Sequence, residues 1–269
     1  VSKEGELVQS EEIDIPKPVM MHDWNITRNY VIFMDLPLVF DLDDAVSGSD
    51  PFGFKPECGA RLGVMPRNGS NSDIKWIEIN PCFVFHPMNA YEENEKIILH
   101  VCRQNKAMVG GMDEIYGGED TTGKIWKWTI NLTSGTCSEE QIDDRPCDFA
   151  RVDDRLVGLK AKNGYAMALN EKAETLTFDQ YLYKFDLENN KRFDHNLGDN
   201  VFGGEPVFVP KSGSLSEDDG WVMAIVYDAN IDKSKLIIVD TENFDKKPVG
   251  EIILPQRVPF GAHGSWLSN

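Results

Sequence analysis

Hydrophobic positions fall in short runs separated by clusters of polar residues and glycine. These runs are rich in Val, Ile, Phe, Tyr and Trp, the residue types that β-strands favour. No segment sustains the 3.6-residue apolar period of a long helix. The pattern predicts an all-β protein, with its clearest strands over residues 30–42, 82–87, 96–103, 124–132, 155–160, 164–169, 180–187, 205–210, 220–228 and 235–240.

One local signature recurs where these strands end. An apolar run leads to Asp or Asn and then to a polar turn, at Asp41, Asn131, Asp186 and Asp240. The successive spacings are 90, 55 and 54 residues, and the last two are close to the length of one propeller blade. A blade is a four-stranded antiparallel sheet, so we expect a β-propeller of about five blades, with residues 1–269 forming a single domain.

Composition and charge narrow the functional classes. The net charge of −18 argues against a nucleic-acid partner, because a phosphate binder needs a basic face. The five cysteines are an odd number without zinc-site spacing, and we expect reduced thiols in a cytoplasmic protein. No apolar run approaches the roughly 18 residues of a membrane span, and the first residues do not resemble a signal peptide.

Three of the five histidines share a context in which a strand meets a tight turn. His22 precedes an apolar strand, His86 ends the run "CFVF" before a corner predicted at residues 87–89, and His263 lies between small residues. Because the inner strands of propeller blades converge on the axis, histidines from separate blades can meet there. An all-imidazole site suits iron, copper or zinc. Alternatively, each ring could simply bond a backbone carbonyl. For His100 and His195 we expect such structural or surface roles.

Six motifs carry a family resemblance, and they occur in this order along the whole chain: "MMHDWNITRNYVIF", "CFVFHPMNAYEE", "DFARVDDRLVGLKAKNGYA", "GGEPVFVP", "EDDGWVMAIVYD" and "RVPFGAHGSW". The chain resembles the carotenoid cleavage oxygenase family, which includes carotenoid, apocarotenoid and stilbene-cleaving dioxygenases and the retinoid isomerase of the eye. The resemblance implies a seven-bladed propeller with a non-haem Fe(II) on its axis, held by four histidines.

The resemblance also assigns residues. His22, His86 and His263 match the second, third and fourth iron ligands, and they are the residues on which catalysis depends. Glu205 matches a glutamate that accepts the other N–H of a ligand imidazole, which fixes the tautomer. Asp148, in "CDFARV", stands where the family normally has Glu, one methylene longer.

The first iron ligand of the family matches no histidine here. We therefore expect the C-terminal part of an enzyme, lacking about two blades and one ligand. The implied reaction cleaves a conjugated double bond of a carotenoid, apocarotenoid or stilbene with O2, giving two carbonyl products. The alternative is an inactive or weakly metal-binding propeller fragment that acts, if at all, as a binding module.

The partners that the resemblance implies are a lipophilic polyene or stilbene and O2. No obligate protein partner is evident, peripheral membrane contact stays open, and a plastid location stays open for a eukaryotic source. Phe83, Phe85 and Trp266 lie near the ligands in sequence and are candidates for the substrate tunnel, but we expect core packing for each.

Overall fold

Antiparallel strands form most of the computed structural model, which describes residues 1–107, 121–170, 178–261 and 263–267. The strands are β1 Asn25–Ile26, β2 Tyr30–Asp35, β3 Leu38–Phe40, β4 Phe52–Phe54, β5 Ala60–Pro66, β6 Lys75–Ile79, β7 Phe83–Glu93, β8 Lys96–Gln104, β9 Lys124–Asn131, β10 Thr136–Gln141, β11 Cys147–Arg151, β12 Asn163–Leu169, β13 Phe178–Asp186, β14 Lys191–Asn196, β15 Val201–Phe202, β16 Val207–Pro210, β17 Gly220–Asp228, β18 Lys233–Asp240 and β19 Gly250–Ile253. One α-helix, α1 (Leu42–Ser47), and 3-10 turns at Pro56–Cys58, Asn71–Asp73 and Asp154–Leu156 complete the described elements.

The strands form four sheets in sequence order, each a meander of neighbouring antiparallel strands. Sheet 1 has the order β1-β2-β5-β6, sheet 2 is β7 to β10, sheet 3 is β11 to β14, and sheet 4 is β15-β17-β18-β19 with β16 also paired to β17. A two-stranded hairpin, β3-β4, stands apart from them. The prediction of an all-β protein is confirmed. The described residues hold four blade-like sheets and one hairpin, against the five or so blades expected from length.

Successive sheets pack face to face, with an apolar core in each gap. Three buried clusters fill the gaps between sheets 1 and 2, sheets 2 and 3, and sheets 3 and 4. In β8, Leu99 and Val101 belong to the cluster beside sheet 1, whereas Cys102 belongs to the one beside sheet 3. Both faces of β8 are buried, so its sequence reads as a continuous apolar run rather than an alternating one.

The Asp or Asn that recurs at the end of an apolar strand forms an Asx turn in three of the four cases. The side-chain oxygen of Asn131 accepts the backbone N–H groups of the residues two and three positions later, at 2.9 and 3.1 Å. The carboxylates of Asp186 and Asp240 do the same. These three positions join the third and fourth strands of sheets 2, 3 and 4. Asp41 instead caps helix α1, so it marks no blade.

Several local predictions need correction. The run 30–42 is broken at Pro37 into β2 and β3, and its last residue begins α1. The run 155–160 is a 3-10 turn and a loop rather than a strand. Residues 87–89 form no turn, because β7 continues through them to Glu93. Residues 211–219 form the loop that joins β16 to β17.

All five cysteines are unpaired, as expected for reduced thiols. Within the described residues, none of the helices has the length and apolar character needed to cross a bilayer.

Candidate metal centre

Three histidines from distant parts of the chain meet at one point. His22 precedes β1, His86 lies in β7, and His263 lies in the segment that follows β19. One ring nitrogen from each lies within 4.8 Å of the others. The ring centroid of His86 lies 5.0 Å from that of His22 and 5.0 Å from that of His263. The centroids of His22 and His263 are 6.2 Å apart. The central structural requirement of the sequence prediction is therefore met.

Irregular strand pairing surrounds His86. The register between β7 and β8 shifts between Val84 and Pro87 and again between Pro87 and Asn89. Proline lacks the N–H that a regular ladder needs, and an irregularity of this kind can re-aim a side chain. His86 is buried, with 8% of its surface exposed. The proline that suggested a corner thus marks a bulge inside a continuous strand.

A second bulge, in β11, places two neighbours of His86. The register between β11 and β12 shifts between Asp148 and Arg151, and Phe149 has a φ of +53°. This left-handed conformation is costly for a bulky residue and is found where a local constraint demands it. It accompanies an arrangement in which Asp148 Oδ1 lies 2.9 Å from His86 Nδ1 while the Phe149 ring stacks on His86 at 4.4 Å. In a regular strand the side chains of Asp148 and Phe149 would point to opposite faces of the sheet. The bulge is what allows both of them to contact His86.

Glu205 fastens His263. Its Oε1 lies 3.0 Å from His263 Nδ1, and its Oε2 accepts the backbone N–H of Gly264 at 2.6 Å. The carboxylate is 9% exposed, whereas the His263 side chain is 48% exposed. A buried carboxylate therefore holds an imidazole that little else covers.

The predicted site residues thus form two carboxylate–imidazole pairs and a third imidazole. Such a bond, with Nδ1–H donating to the carboxylate, leaves Nε2 as the ligating nitrogen. Aspartate reaches His86 directly at 2.9 Å, so the shorter side chain at position 148 does not lengthen the bond.

The electrostatics differ between the rings. For His22, partial burial and the neighbouring His86 lower the pKa, which keeps the ring neutral and able to ligate. For His86, burial alone would lower the pKa, but the hydrogen bond and charge of Asp148 together with Asp23 and Glu205 raise it overall. The carboxylates thus concentrate negative potential at the cluster, which favours a bound cation.

Two cavities meet at Glu205, His263 and Gly264. The first has a volume of about 570 Å³ and also contacts His22 and His86. The second, of about 350 Å³, has mostly apolar walls that include Phe178, Val207, Met223, Leu236, Phe260 and Trp266. The His263 segment therefore separates a mixed cavity from an apolar one.

The cluster fits a metal ion. His86 Nε2 is buried and has no hydrogen-bond partner, although its Nδ1 is engaged by Asp148. Leaving a buried polar nitrogen unpaired is costly, and a cation among the three rings would satisfy it. Neutral imidazoles suit iron, copper and zinc rather than magnesium or calcium.

The other two histidines lie outside this centre. Nδ1 of His195 bonds the carbonyl of Phe244 at 2.8 Å, which is the structural role expected. His100 is buried in β8 beside Tyr91. Among the tunnel candidates, Phe83 belongs to the core as expected. Trp266 does not, because it is 47% exposed and lines the apolar cavity.

Two further residues of the site escaped the sequence analysis, Phe149 and Arg151. Both lie in the motif that contains Asp148, and that proximity was the available signal. Neither the positive φ nor the long-range contacts of Arg151 can be read from residue types.

The match to known proteins extends over almost the whole chain. The model of the retinal pigment epithelial membrane protein family matches residues 1–268. The chain therefore belongs to this family, whose curated relatives are carotenoid cleavage oxygenases.

Individual relatives agree with this placement. A carotenoid 9,10(9',10')-cleavage dioxygenase 1 from Phaseolus vulgaris is 32% identical over 286 residues, which cover 100% of this chain and 52% of the relative. The crystal structure of a Pseudomonas brassicacearum lignostilbene dioxygenase superposes with a TM-score of 0.90 at 25% identity, covering 100% of this chain and 59% of that one.

A cobalt-substituted apocarotenoid oxygenase from Synechocystis has a TM-score of 0.82 at 28% identity, over 93% of this chain and 53% of that one. The fold is thus the β-propeller of this family, with its sheets not closed into a ring. The chain spans about half the length of the relatives that it matches.

Proposed function

We propose that this chain is part of a non-haem Fe(II) dioxygenase that cleaves a conjugated carbon–carbon double bond of a carotenoid, apocarotenoid or stilbene. The observation that carries the proposal is the meeting of His22, His86 and His263, with the unpartnered Nε2 of His86 among them. The names of the relatives support the substrate class, since they include carotenoid and lignostilbene dioxygenases.

In this proposal the three imidazoles would hold the iron, which would supply the electron density that O2 needs to react with an alkene. Asp148 and Glu205 keep the Nδ1 protons of His86 and His263 in place, which leaves Nε2 of each ring free to ligate. The alkene and one O2 are consumed, and each oxygen atom ends in one of two carbonyl products. A fourth histidine ligand, which the family resemblance implies, matches no motif in these 269 residues.

The apolar cavity beside His263 suits a hydrocarbon chain. Its walls carry the aromatic side chains of Phe178, Phe260 and Trp266, and it shares Glu205 and His263 with the mixed cavity. We assign the polyene to this apolar side, where burial of its hydrocarbon surface is favourable. Cavity shape would then select which double bond is cut.

We also propose that residues 1–269 form one propeller domain in a cytoplasmic or plastid protein with reduced thiols, and that contact with a membrane, if any, is peripheral.

Product analysis tests the reaction. The full gene product, supplied with ferrous iron and isotopically labelled O2, is incubated with a stilbene and with an apocarotenoid. We expect one of them to yield two carbonyl products that both carry label. His86→Ala should abolish cleavage, while His195→Gln, which alters a histidine outside the centre, should not. Undiminished cleavage by the His86→Ala variant would contradict the assignment.

A further inference from the structure

Arg151 occupies a position between the two carboxylate–imidazole pairs. It is the last residue of β11, the strand that also carries Asp148. One of its guanidinium nitrogens, Nη1, donates to the carbonyl of Gly264 and lies 3.6 Å from Oε1 of Glu205. The other, Nη2, contacts both carboxylate oxygens of Asp154, at 3.0 and 3.2 Å.

These contacts matter because the segment around His263 is not held by the pairing of a sheet. His263 and its neighbours belong to no helix or strand among the described residues, and the His263 side chain is half-exposed. Glu205 grips this segment through the imidazole and through the N–H of Gly264. Arg151 binds the same segment through the backbone carbonyl of Gly264. The N–H and the C=O of this glycine are therefore both hydrogen-bonded.

The charges of Glu205 and Arg151 also link Arg151 to this segment. Glu205 is 9% exposed, and a carboxylate this buried requires compensation. Arg151, itself 20% exposed, supplies a positive charge next to the oxygen that accepts the His263 bond. Its flat guanidinium can bridge a carbonyl and two carboxylates at once, which the point charge of a lysine cannot.

We propose that Arg151 is a positioning residue for the metal centre, acting through Glu205 and Gly264 to hold His263 in its ligating orientation. Through Asp148 and Arg151 the single strand β11 then sets two ligands, His86 and His263. The inference rests on the proposed function, since it assigns Arg151 a task only if the histidines bind metal. Arg151 touches neither substrate nor metal in this account.

The proposal is tested by anaerobic titration of the full gene product with Co(II). This measurement gives the metal affinity and does not depend on turnover. We expect Arg151→Met to weaken Co(II) affinity by about 10- to 100-fold, the range typical when partners of ligands are removed. The visible absorption of bound Co(II) should change as His263 loses its fixed orientation. Arg151→Lys should recover only part of the affinity.

A matched control is Arg155→Met. Arg155 lies four residues after Arg151, in the connection between β11 and β12, but it bonds Asp153 and the carbonyls of Ser214 and Ser216 rather than the ligand segment. This variant should leave Co(II) affinity and spectrum unchanged. If both arginine variants lower affinity equally, Arg151 has only a general structural role and the proposal is wrong.

A double-variant measurement separates this inference from the proposed function. In a His263→Ala background, Arg151→Met should have no further effect on Co(II) affinity, because its target is gone. An additive effect there contradicts the inference alone. If His263→Ala itself leaves Co(II) affinity unchanged, the metal centre, and with it the proposed function, is contradicted.

Discussion

At the scale of single residues, the two carboxylates give the site its orientation. Asp148 accepts two bonds through Oδ1, one from the backbone N–H of Phe149 at 2.8 Å and the other with His86 at 2.9 Å. The bulged backbone of Phe149 thus fixes the carboxylate, and the carboxylate fixes the imidazole. In this arrangement the aspartate side chain is long enough to reach His86 directly.

Asp148→Ala should therefore weaken metal binding by about 10- to 100-fold without unfolding the protein, since it frees the His86 ring to rotate. Metal titration and circular dichroism together check this outcome. Asp194→Ala is the control, because Asp194 lies in the same sheet but bonds Arg192 and contacts none of the three clustered histidines. Equal affinities for wild type and Asp148→Ala would show that the ring is oriented by other contacts.

The residue scale also shows what sequence could and could not provide. Five residues that motifs identified lie together in the structure: His22, His86, His263, Glu205 and Asp148. The role of Arg151 depends on a contact with a residue 113 positions away. Residue types do not encode such a contact, because it arises from the packing of whole sheets.

At the scale of elements, strands that are buried on both faces explain where prediction succeeded. Runs such as β8 and β12 were located because a doubly buried strand is apolar along most of its length. Prediction failed at Pro37 and Pro87, where the same residue type has opposite effects. Pro37 interrupts a strand, whereas Pro87 sits in a bulge that the strand survives.

The recurring Asp or Asn signature does not always mark a blade. Asp41 carries the same side-chain capping chemistry as Asn131, Asp186 and Asp240, but it begins helix α1 instead of closing a hairpin. Capping of two backbone N–H groups by an Asx side chain serves both purposes. Sequence spacing alone cannot distinguish them.

One element has a measurable pH dependence. His100 in β8 is buried, and burial followed by the nearby charge of Lys127 lowers its pKa from 6.5 to about 4. Between these values the unfolded chain binds a proton that the folded chain does not. The free energy of unfolding therefore falls as pH drops below 6.5, by roughly 1.4 kcal/mol per pH unit and about 3 kcal/mol in all.

His100→Leu should flatten this part of the stability profile between pH 6.5 and 4, as measured by urea unfolding at several pH values. Gln104→Leu is the matched control, because it replaces another buried polar residue of β8 that does not titrate. If the profile of His100→Leu keeps the slope of the wild type, His100 is already protonated in the folded protein.

At the scale of the whole molecule, the site exists because sheets converge. Two of the three clustered histidines and both carboxylates come from positions in or next to the first strand of a sheet: His22 before β1, His86 in β7, Asp148 in β11 and Glu205 between β15 and β16. His263 instead follows β19, the last strand of sheet 4. Strand β7 contacts both β1 and β11. Radial packing of successive sheets therefore brings together groups that are far apart in sequence.

The open arrangement of the sheets agrees with the length of the chain relative to its family. The chain covers 52% to 59% of the length of the relatives described above. The final sheet carries exposed apolar side chains, among them Ile225, Ile252 and Ile253. The His263 segment lies against this sheet, since residues from both line the apolar cavity.

The most direct test of the central claim is the metal stoichiometry of the full gene product, measured by anaerobic titration with Fe(II). The account predicts one Fe(II) per polypeptide, lost in each of the variants His22→Ala, His86→Ala and His263→Ala while the fold is retained. A folded protein that binds no Fe(II), or one that keeps its Fe(II) in all three variants, would contradict the account.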